Sequence, residues 1–433
     1  MSMNLEMKGE NWRYTDDVLK VDANISGEWD VRMCQTTQLP EISGDEEIAR
    51  KIKNPISGET LSEIVRRKNA KTACVLVSDA TRAVPTRRIA KVIVQELLDA
   101  GMALSDITFF VALGVHRPAT EAEFQEILGD LYGKVAIVNH TPFEEENLIY
   151  LGKTSGNTPV KVNRQAYECD LHIQIGKVEP HEFAGFSGGR KSVLPGVSSE
   201  ETIIINHRPE MILNPKSAIG VLEGNPVHAD MVEAAEWFGI DFAVNCILNN
   251  DLNMAAVFAG GLKESHETAV NYVKDKLSVL FEKPDIIVTT PGRPLDIDFY
   301  QTVKALIALT EVLDESTTVV LYCGCEEGVN SPDMLRAFGV SEDLEEVISY
   351  TNENYKIQMD HVLLLSKILR KKVRILVSCP NIPDKELEAM FMTPCHSLQE
   401  AIETAAKLTG KAAPHVLFYP RPQTGLPALK ADR

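Results

Sequence analysis

Short apolar runs that end in a polar residue recur along this chain and alternate with longer amphipathic stretches. The runs at residues 72–77, 107–113, 135–138 and 171–175 have the length of buried strands rather than of buried helices. Strands that alternate with helices are typical of α/β proteins, in which helices cover a mostly parallel sheet. The sequence therefore predicts an α/β fold with largely parallel sheets.

The length of the chain indicates two domains. At 433 residues it exceeds the size at which one hydrophobic core usually stops growing. After Lys283 and Pro284 a second series of strands and helices begins, including a helix expected over residues 298–313. We therefore predict two α/β domains, residues 1–283 and 284–433, and a surface loop from Arg421 onward.

The charge balance excludes several classes of partner. The 44 Lys and Arg residues face 62 Asp and Glu residues, and the net charge of −18 repels nucleic acid and anionic lipid surfaces. No stretch has the apolar length of a membrane span, and residues 1–23 mix charges without a signal-like apolar run. We expect a cytoplasmic protein with neither nucleic acid nor membrane as partner.

The eight cysteines are dispersed and lack the paired spacings of a zinc site or a disulfide scaffold. Cys323 and Cys325 form a C-x-C pair, but they directly follow an apolar run. Buried thiols are among the commonest core residues, so the pair is interpreted as structural rather than as ligands. This cysteine usage is typical of a reducing compartment.

Polar side chains follow the predicted strands. Asp79 and Arg82 follow the first strand, His116 follows the second, and His181 follows the fourth. In open α/β sheets, ligands bind beyond the carboxyl ends of the strands. We therefore expect these four side chains to converge at one edge of the first sheet.

A glycine-rich segment, EPHEFAGFSGGRKS at residues 179–192, follows the fourth strand. Its three glycines and the adjacent Arg190 and Lys191 favour an anion bound against the backbone at the start of a helix. A P-loop requires G-K-[ST], and here Arg190 separates the last glycine from the lysine, so a kinase-like site is disfavoured. The candidates for backbone contact with a phosphate are Ser187, Gly188 and Gly189.

Three histidines lie in these surroundings: His116, His181 and His207. Ser198 and Ser199 are expected to cap a helix that ends at His207. Each histidine alone is more often structural than catalytic. Together they suit either a metal site or a pair of acid and base groups.

The glycine-rich segment, read as E-P-H-x-F-A-G-F-S-G-G-R-K with a histidine sixteen residues after the lysine, resembles the nickel-dependent lactate racemase family. Three more segments are similar to motifs of that family. They are D-x-T-R-x-x-P at residues 79–85, G-x-H-R at residues 114–117 and P-L-D…Y-Q-x-x-K at residues 294–304. The resemblance therefore reaches both predicted domains.

The resemblance implies a cofactor made of nickel and a nickel-pincer nucleotide, pyridinium-3,5-bisthiocarboxylic acid mononucleotide, covalently attached to Lys191. It assigns His207 as the protein ligand that completes the coordination of nickel, and four ligands in one plane suit Ni(II). The chain does not make this cofactor, so cofactor-maturation proteins are implied as partners. The sulfur ligands come from the cofactor, which agrees with the scattered cysteines.

The resemblance also implies a racemase or epimerase that acts on a small 2-hydroxy acid. A base takes the hydroxyl proton while the C2 hydride passes to the cofactor, and a planar 2-keto acid then accepts the hydride on either face. His116 and His181 match the two bases. The first domain holds the cofactor, the second closes over the substrate, and the active site is expected in the cleft between them. The residues that match substrate contacts are Arg82, Tyr300, Gln301 and Lys304.

Two positions leave the chemistry open. Lactate-specific members of the family carry a tryptophan where this chain has Tyr355, and the more polar pocket favours a substrate other than lactate, such as a dicarboxylic or sugar-derived 2-hydroxy acid. Asp79 has two interpretations. In the functional one it orients Arg82 or bonds the cofactor ribose, and in the structural one it caps the local turn.

Two other functions remain open from sequence. His116, His181 and His207 are also compatible with a zinc-dependent lyase or hydrolase. The glycine-rich segment is compatible with a binding protein that senses a nucleotide or phosphate.

Overall fold

A computed structural model describes residues 3–430 of the chain. The strands of those residues are β1 (Met3–Lys8), β2 (Asn11–Asp16), β3 (Val21–Ser26), β4 (Asp30–Met33), β5 (Ala73–Val77), β6 (Ile107–Val111), β7 (Ala136–Asn139), β8 (Leu148–Lys153), β9 (Pro159–Asn163), β10 (Leu171–Lys177), β11 (Pro180–His181), β12 (Gly185–Phe186), β13 (Phe242–Leu248), β14 (Met254–Gly260), β15 (Ser278–Phe281), β16 (Ile286–Thr289), β17 (Thr318–Tyr322), β18 (Arg374–Ser378), β19 (Thr393–Cys395), β20 (His415–Phe418) and β21 (Leu426–Leu429).

The α-helices of the same residues are α1 (Asp45–Lys53), α2 (Leu61–Lys68), α3 (Thr86–Asp99), α4 (Glu121–Leu128), α5 (Arg164–Tyr167), α6 (Glu200–Asn206), α7 (Pro209–Ile212), α8 (Pro226–Phe238), α9 (Leu262–Leu277), α10 (Phe299–Thr302), α11 (Lys304–Ala308), α12 (Pro332–Phe338), α13 (Leu344–Glu353), α14 (Asp360–Arg370), α15 (Asp384–Ala389) and α16 (Leu398–Thr409).

The chain divides into two compact units. Unit 1 comprises Met1–Thr37 and Leu277–Arg433, and unit 2 comprises Gln38–Lys276. The prediction that residues 1–283 form one domain is therefore wrong for its first 37 residues and for its last seven. Strand pairing gives the reason, because β4 joins the sheet of unit 1 beside β20 and β15 pairs with β21.

Unit 2 is built on a six-stranded sheet with the order β14-β13-β10-β5-β6-β7. Its strands are parallel except for the edge strand β14. Every side chain of β5 is buried, as expected for a parallel sheet covered on both faces. The four predicted strands are confirmed as β5, β6, β7 and β10, whose shared direction brings their carboxyl ends to one edge.

Helices cover this sheet because their apolar side chains recur at helical spacing. In α3 the buried side chains include Ile89, Ile93 and Leu97, which lie on one face. In α2, Thr60 and Glu63 form a capping box that fixes the start of the helix. The predicted crossover helix after the first strand is confirmed as α3.

Unit 1 contains a second six-stranded sheet with the order β19-β18-β17-β16-β20-β4. All of its strands are parallel. The antiparallel meander β1-β2-β3 adds Tyr14, Ala23 and Ile25 to the same core as Tyr322 and Phe418. The Tyr14 and Tyr322 hydroxyls are 2.5 Å apart, which ties this meander to the sheet.

Two local predictions in unit 1 are wrong. The helix expected over residues 298–313 is divided into α10, α11 and a 3-10 turn at Thr310–Val312. Most of this segment is buried, so tertiary packing rather than helical periodicity sets its path. The expected surface loop after Arg421 contains β21, which pairs in parallel with β15.

Among the described residues, no helix is both long enough and apolar enough to cross a membrane.

Candidate active site

The glycine-rich segment folds as a tight hairpin after β10. Strands β11 and β12 are antiparallel, and His181 pairs with Gly185. Gly185 has φ +77°, and a Cβ there would lie 2.2 Å from the carbonyl oxygen of Val221. Only glycine satisfies both the backbone conformation and this close approach, and the hairpin therefore holds His181 in a fixed place.

Lys191 lies in a 3-10 turn, Gly189–Ser192, rather than at the start of an α-helix. The prediction of an anion site at the start of an α-helix is therefore wrong about the helix. The Lys191 Nζ is 3.2 Å from the Nε2 of His181 and 5.9 Å from the centroid of the Phe183 ring. The turn thus brings the amine of Lys191 next to a predicted catalytic histidine.

His207 ends α6, as predicted, and Ser199 caps the start of that helix. The Nδ1 of His207 lies 3.0 Å from the Ile203 carbonyl oxygen. Because a carbonyl accepts only, Nδ1 carries the proton, and in the neutral ring the lone pair is on Nε2. Burial, then the charge of Lys191, lowers the pKa of His207 to about 3 although the Ile203 bond opposes this shift. The imidazole is therefore neutral, as a metal ligand must be.

Phe183 connects these three side chains. Its ring centroid is 4.9 Å from that of His181 and 5.0 Å from that of His207, both edge-on. Lys191 lies over the same ring. The predicted attachment lysine, metal ligand and second base are thus brought together around one buried aromatic side chain.

His116 lies beyond the carboxyl end of β6, and its Nδ1 is 3.1 Å from the Oδ2 of Asp79. Its Nε2 is 3.3 Å from the Nη2 of Arg82, and the His116 side chain is 43% exposed. Asp79 and Arg82 follow the neighbouring strand β5, so the predicted convergence at the strand ends is observed for these three residues. The arrangement directs Nδ1–H at a carboxylate and leaves Nε2 as the basic nitrogen.

Asp79 has a role that the sequence interpretation missed. Its Oδ1 caps the turn by accepting the backbone N–H of Thr81, as one prediction held, while its Oδ2 orients His116. Burial would raise the pKa of this carboxyl, but hydrogen bonds from His116 and Thr81 and the charge of Arg82 outweigh it and give about 2. Asp79 is therefore ionised at neutral pH.

The turn that carries His116 packs against the segment that leads to His207. The Gly114 N–H donates to the Gly196 carbonyl oxygen at 2.8 Å. A Cβ on Gly114 would lie 3.7 Å from the Cδ1 of Ile203, the residue whose carbonyl binds His207. The two histidine regions of unit 2 are therefore packed neighbours.

The three histidines do not form a common metal site. Within residues 3–430, the one group of three His, Cys, Asp or Glu ligands close enough to share a metal ion consists of cysteines. The alternative of a zinc site made by His116, His181 and His207 is therefore contradicted by the geometry.

The predicted phosphate contacts are largely occupied within the chain. The Ser187 N–H donates to the Glu179 carbonyl oxygen at 2.9 Å, and the Gly189 N–H donates to the Oδ1 of Asn245 at 3.0 Å. The phosphate prediction is therefore not supported for Ser187 and Gly189 and stays a prediction for Gly188. Gly188 has φ +76°, and a Cβ there would lie 2.7 Å from the Lys177 carbonyl oxygen.

Arg190, which the sequence analysis assigned to anion binding, and His266, which it passed over, support this loop. Arg190 is buried and donates to the carbonyl oxygens of Ala184 at 2.8 Å and of Gly188 at 3.3 Å. Its Nη1 is also 2.8 Å from the Nε2 of His266. Burial lowers the pKa of Arg190 to about 9, so it stays charged at neutral pH. The adjacent cations Arg190 and Lys191 were a sequence signal that Arg190 supports the loop. His266 had no such signal, because it lies far along the chain.

The predicted substrate residues of unit 1 lie on and after α10. The Tyr300 hydroxyl donates to the Oδ1 of Asp360 at 3.1 Å, and the Tyr300 ring stacks on His361 with centroids 4.0 Å apart. Gln301 and Lys304 are half-buried. Val303 separates α10, which carries Gln301, from α11, which begins at Lys304.

Tyr355 lies between α13 and the 3-10 turn Ile357–Met359. Its hydroxyl is buried without a hydrogen-bond partner among the described residues. Burial, then the nearby charge of Asp360, raises the pKa of Tyr355. Tyr300, Tyr355 and Asp360 therefore form one polar cluster, and Asp360 is a member that sequence reasoning missed.

Comparison with known proteins gives matches along most of the chain. The family models "Lactate racemase N-terminal domain" and "Lactate racemase C-terminal domain" match residues 16–220 and 279–420. A lactate racemase of Thermoanaerobacterium thermosaccharolyticum is 30% identical over 374 residues, which is 85% of this chain and 87% of the relative. A lactate racemase of Lactiplantibacillus plantarum is 32% identical over 379 residues, which is 86% of this chain and 88% of the relative.

Solved structures show the same architecture. The lactate racemase apoprotein from Thermoanaerobacterium thermosaccharolyticum matches with a TM-score of 0.87 at 27% identity, covering 97% of this chain and 100% of that chain. A Thermotoga maritima protein matches with a TM-score of 0.65 at 19% identity, covering 91% of this chain and 100% of that chain, and shows the fold alone.

These matches define an isomerase of the racemase and epimerase class with two α/β domains. Within that class, the chain belongs to the lactate racemase family.

Proposed function

We propose that the protein inverts C2 of a sugar-derived 2-hydroxy acid with a nickel-pincer nucleotide attached to Lys191. The observation that carries the proposal is the grouping of Lys191, His181 and His207 around Phe183. An amine for attachment, a base and a neutral imidazole ligand are what this chemistry requires of the protein.

The donor set agrees with the proposed cofactor. His207 offers one nitrogen through Nε2, so sulfur and carbon ligands have to come from the cofactor itself. Gln174, fully buried on β10, has both amide atoms without a hydrogen-bond partner among the described residues. A Cβ on Gly176 would lie 2.6 Å from its Nε2 and 3.8 Å from the Cα of Gly188. At the base of the glycine-rich loop, the amide atoms of Gln174 are therefore available to hydrogen-bond a bound group.

When bound, the cofactor supplies reversible acceptance of a hydride. The proton chemistry belongs to the two histidines, because the substrate hydroxyl has to lose its proton as a carbonyl forms. Each has a carboxylate at Nδ1: Asp79 at 3.1 Å from His116, and Glu182 at 3.3 Å from His181. Asp79 therefore orients the His116 ring, and the His181 Nδ1 also accepts the Ala184 N–H at 3.4 Å, so both rings are held in place as two bases serving two enantiomers require.

Cations near these bases suit a carboxylate substrate. Arg82 lies beside the Nε2 of His116, where it is placed to hold the substrate carboxylate next to the base. In unit 1, Lys304 and Gln301 are assigned by resemblance to the substrate oxygens. Their contribution is tested through KM rather than through the binding of the cofactor.

The polar cluster of unit 1 supports the choice of a sugar-derived acid. The buried Tyr355 hydroxyl has unused hydrogen-bonding capacity that a substrate hydroxyl can satisfy. The charge of Asp360 lies close enough to raise the pKa of Tyr355, so it would repel the second carboxylate of a dicarboxylic acid. A methyl group, as in lactate, would leave the Tyr355 hydroxyl without a partner.

The test is to produce the chain together with cofactor-maturation proteins and to measure intact mass, nickel content and racemisation of lactate, malate and aldonates. We expect a covalent adduct with bound nickel, turnover of aldonates above the other acids, and loss of the adduct in Lys191→Arg. A preference for lactate would contradict the substrate, whereas a chain with neither adduct nor turnover would contradict the whole proposal.

A further inference from the structure

Three cysteines meet at the carboxyl edge of the sheet in unit 1. Cys323 and Cys325 follow β17, and Cys379 follows the adjacent parallel strand β18. The Cys323 N–H donates to the Ser378 carbonyl oxygen at 3.1 Å, which fixes the register between the two strand ends. The three Sγ atoms all lie within 4.8 Å of one another. The interpretation of the C-x-C pair as isolated structural thiols did not foresee the third cysteine, which is 54 residues away in sequence from Cys325.

The local backbone turns Cys325 toward the other two. Cys325 has φ +50°, a left-handed conformation that is uncommon outside glycine. Its N–H donates to the Asp296 carbonyl oxygen at 2.7 Å, and its carbonyl oxygen accepts the Gly328 N–H at 2.9 Å. These two bonds hold the turn in place, so the position of the Cys325 thiol does not depend on a flexible loop.

The cluster is buried, and a cation lies near it. Cys325 is 0% exposed, Cys323 is 4% exposed and Cys379 is 9% exposed. The positive charge of Arg293 lies near enough to interact with Cys325.

The spacing suits a metal ion bound by three sulfurs. With metal–sulfur bonds of about 2.3 Å, sulfurs in a trigonal plane lie about 4 Å apart. The observed limit of 4.8 Å therefore requires a contraction of less than about 1 Å. Soft thiolates select thiophilic ions such as Cu(I) and Zn(II) over hard cations. Within residues 3–430 no fourth His, Cys, Asp or Glu joins the group, which favours an ion stable with three protein ligands.

We propose that Cys323, Cys325 and Cys379 form a binding site for one thiophilic d10 metal ion, held by three thiolates at the carboxyl edge of the unit 1 sheet. The ion fastens the turn after β17 to the end of β18. The Thr302 hydroxyl lies 3.4 Å from the Cys325 sulfur, so the site is also joined to α10. None of the three cysteines belongs to the proposed nickel centre, whose protein ligand lies in unit 2.

The test uses the full chain, produced without the maturation proteins and kept reduced with a phosphine. Chelator-treated protein is titrated with Cd²⁺, followed by the ultraviolet absorption of sulfur-to-cadmium charge transfer and by cadmium content after gel filtration. We expect saturation at one Cd²⁺ per chain and a rise in melting temperature, because an ion that binds the native state stabilises it. Absence of the charge-transfer absorption in the reduced chain would overturn the proposal.

Single cysteine substitutions identify which sulfurs bind the metal ion. Cys379→Ser, at the most exposed of the three positions, should weaken Cd²⁺ binding at least about tenfold and lower the absorption, as should Cys323→Ser and Cys325→Ser. Cys395→Ser is the matched control, since Cys395 is buried in the same unit on β19 but lies outside the cluster. Binding that survives all three cluster substitutions would overturn the proposal.

A second measurement avoids any folding defect in these variants. Native chain is alkylated with and without Cd²⁺, and the modified cysteines are mapped by mass spectrometry. Cd²⁺ should protect Cys379 and leave the partly exposed Cys34 unchanged. Equal labelling of Cys379 in both samples, or a disulfide between two cluster cysteines in place of a Cd²⁺ complex, would contradict the metal site.

Discussion

His116 and His207 lie in the same unit but in opposite surroundings. The His116 side chain is 43% exposed and its Nδ1 faces the carboxylate of Asp79, whereas His207 is 6% exposed and its Nδ1 faces a backbone carbonyl. A carboxylate stabilises the protonated ring, and burial beside a cation prevents protonation. The difference teaches that the partner at Nδ1 and solvent access can suit one histidine to the proposed proton transfer and another to the proposed metal binding.

We expect the largest effect when His207 and His116 are each replaced by glutamine, because the two variants should lose different functions. His207→Gln should lose nickel and, with it, all detectable turnover, because its Nε2 is the proposed protein ligand. His116→Gln should retain nickel and lose about 10²- to 10⁴-fold in kcat for one direction of racemisation, as expected for a missing base. Metal analysis and kinetics in both directions make the comparison. Equal loss of nickel in both variants would contradict the separate roles proposed for His116 and His207.

Asp79→Asn tests the carboxylate behind His116. The amide still accepts a hydrogen bond but no longer stabilises the imidazolium, so kcat should fall about 10²-fold while KM and nickel content change little. Thr81→Ala is the matched control, because Thr81 also bonds Asp79 but does not contact His116 in the observed network. If the control loses as much kcat as Asp79→Asn, the role of Asp79 is to shape the turn.

The buried state of His207 predicts a pH dependence of stability. The unfolded histidine takes a proton near pH 6.5, but the folded one does so only near pH 3. The unfolded state binds more protons in this window, so stability is lost as pH falls from 6.5 toward 3, at up to about 1.4 kcal/mol per pH unit. Urea unfolding of the cofactor-free chain at several pH values measures it. In His207→Gln the slope of the unfolding free energy against pH should correspond to about one proton fewer. Equal slopes in this variant and in the unsubstituted chain would contradict a buried, neutral imidazole.

The smallest effect concerns the polar cluster of unit 1. Tyr355→Phe removes a buried hydroxyl that has no partner among the described residues, so stability should change by about 0.5 kcal/mol or less. KM for an aldonate should nevertheless rise, because the substrate loses its partner. Tyr300→Phe, which breaks the bond to Asp360, should cost about 1 kcal/mol in the same unfolding measurement. A large loss of stability in Tyr355→Phe would show that its hydroxyl is already satisfied.

Much of the fold follows from local sequence. The strands β5, β6, β7 and β10 are continuous apolar runs, and α6 begins at a serine cap and ends at His207, so each could be recognised without tertiary information. The pairing of β4 with β20 could not, because it joins segments about 385 residues apart and depends on packing rather than on a local pattern.

The site was predictable where residues follow strand ends. Asp79, Arg82 and His116 follow neighbouring parallel strands, and their contact results from that topology. The sequence did not show which atom of Asp79 faces which partner, since that depends on side-chain rotamers in the fold. Asp360 and His266 carried no local signal, because each acts through a contact with a residue 60 or more positions away.

Racemisation in D₂O tests the central claim most directly, since the two histidines are proposed to move only the hydroxyl proton. The substrate is converted to a mixture of both C2 configurations, and deuterium at C2 is measured by NMR and mass spectrometry. We predict that the inverted product retains its original C2 hydrogen. Incorporation of solvent deuterium at C2 in step with inversion would mean that a histidine removes the carbon-bound proton, which contradicts hydride transfer.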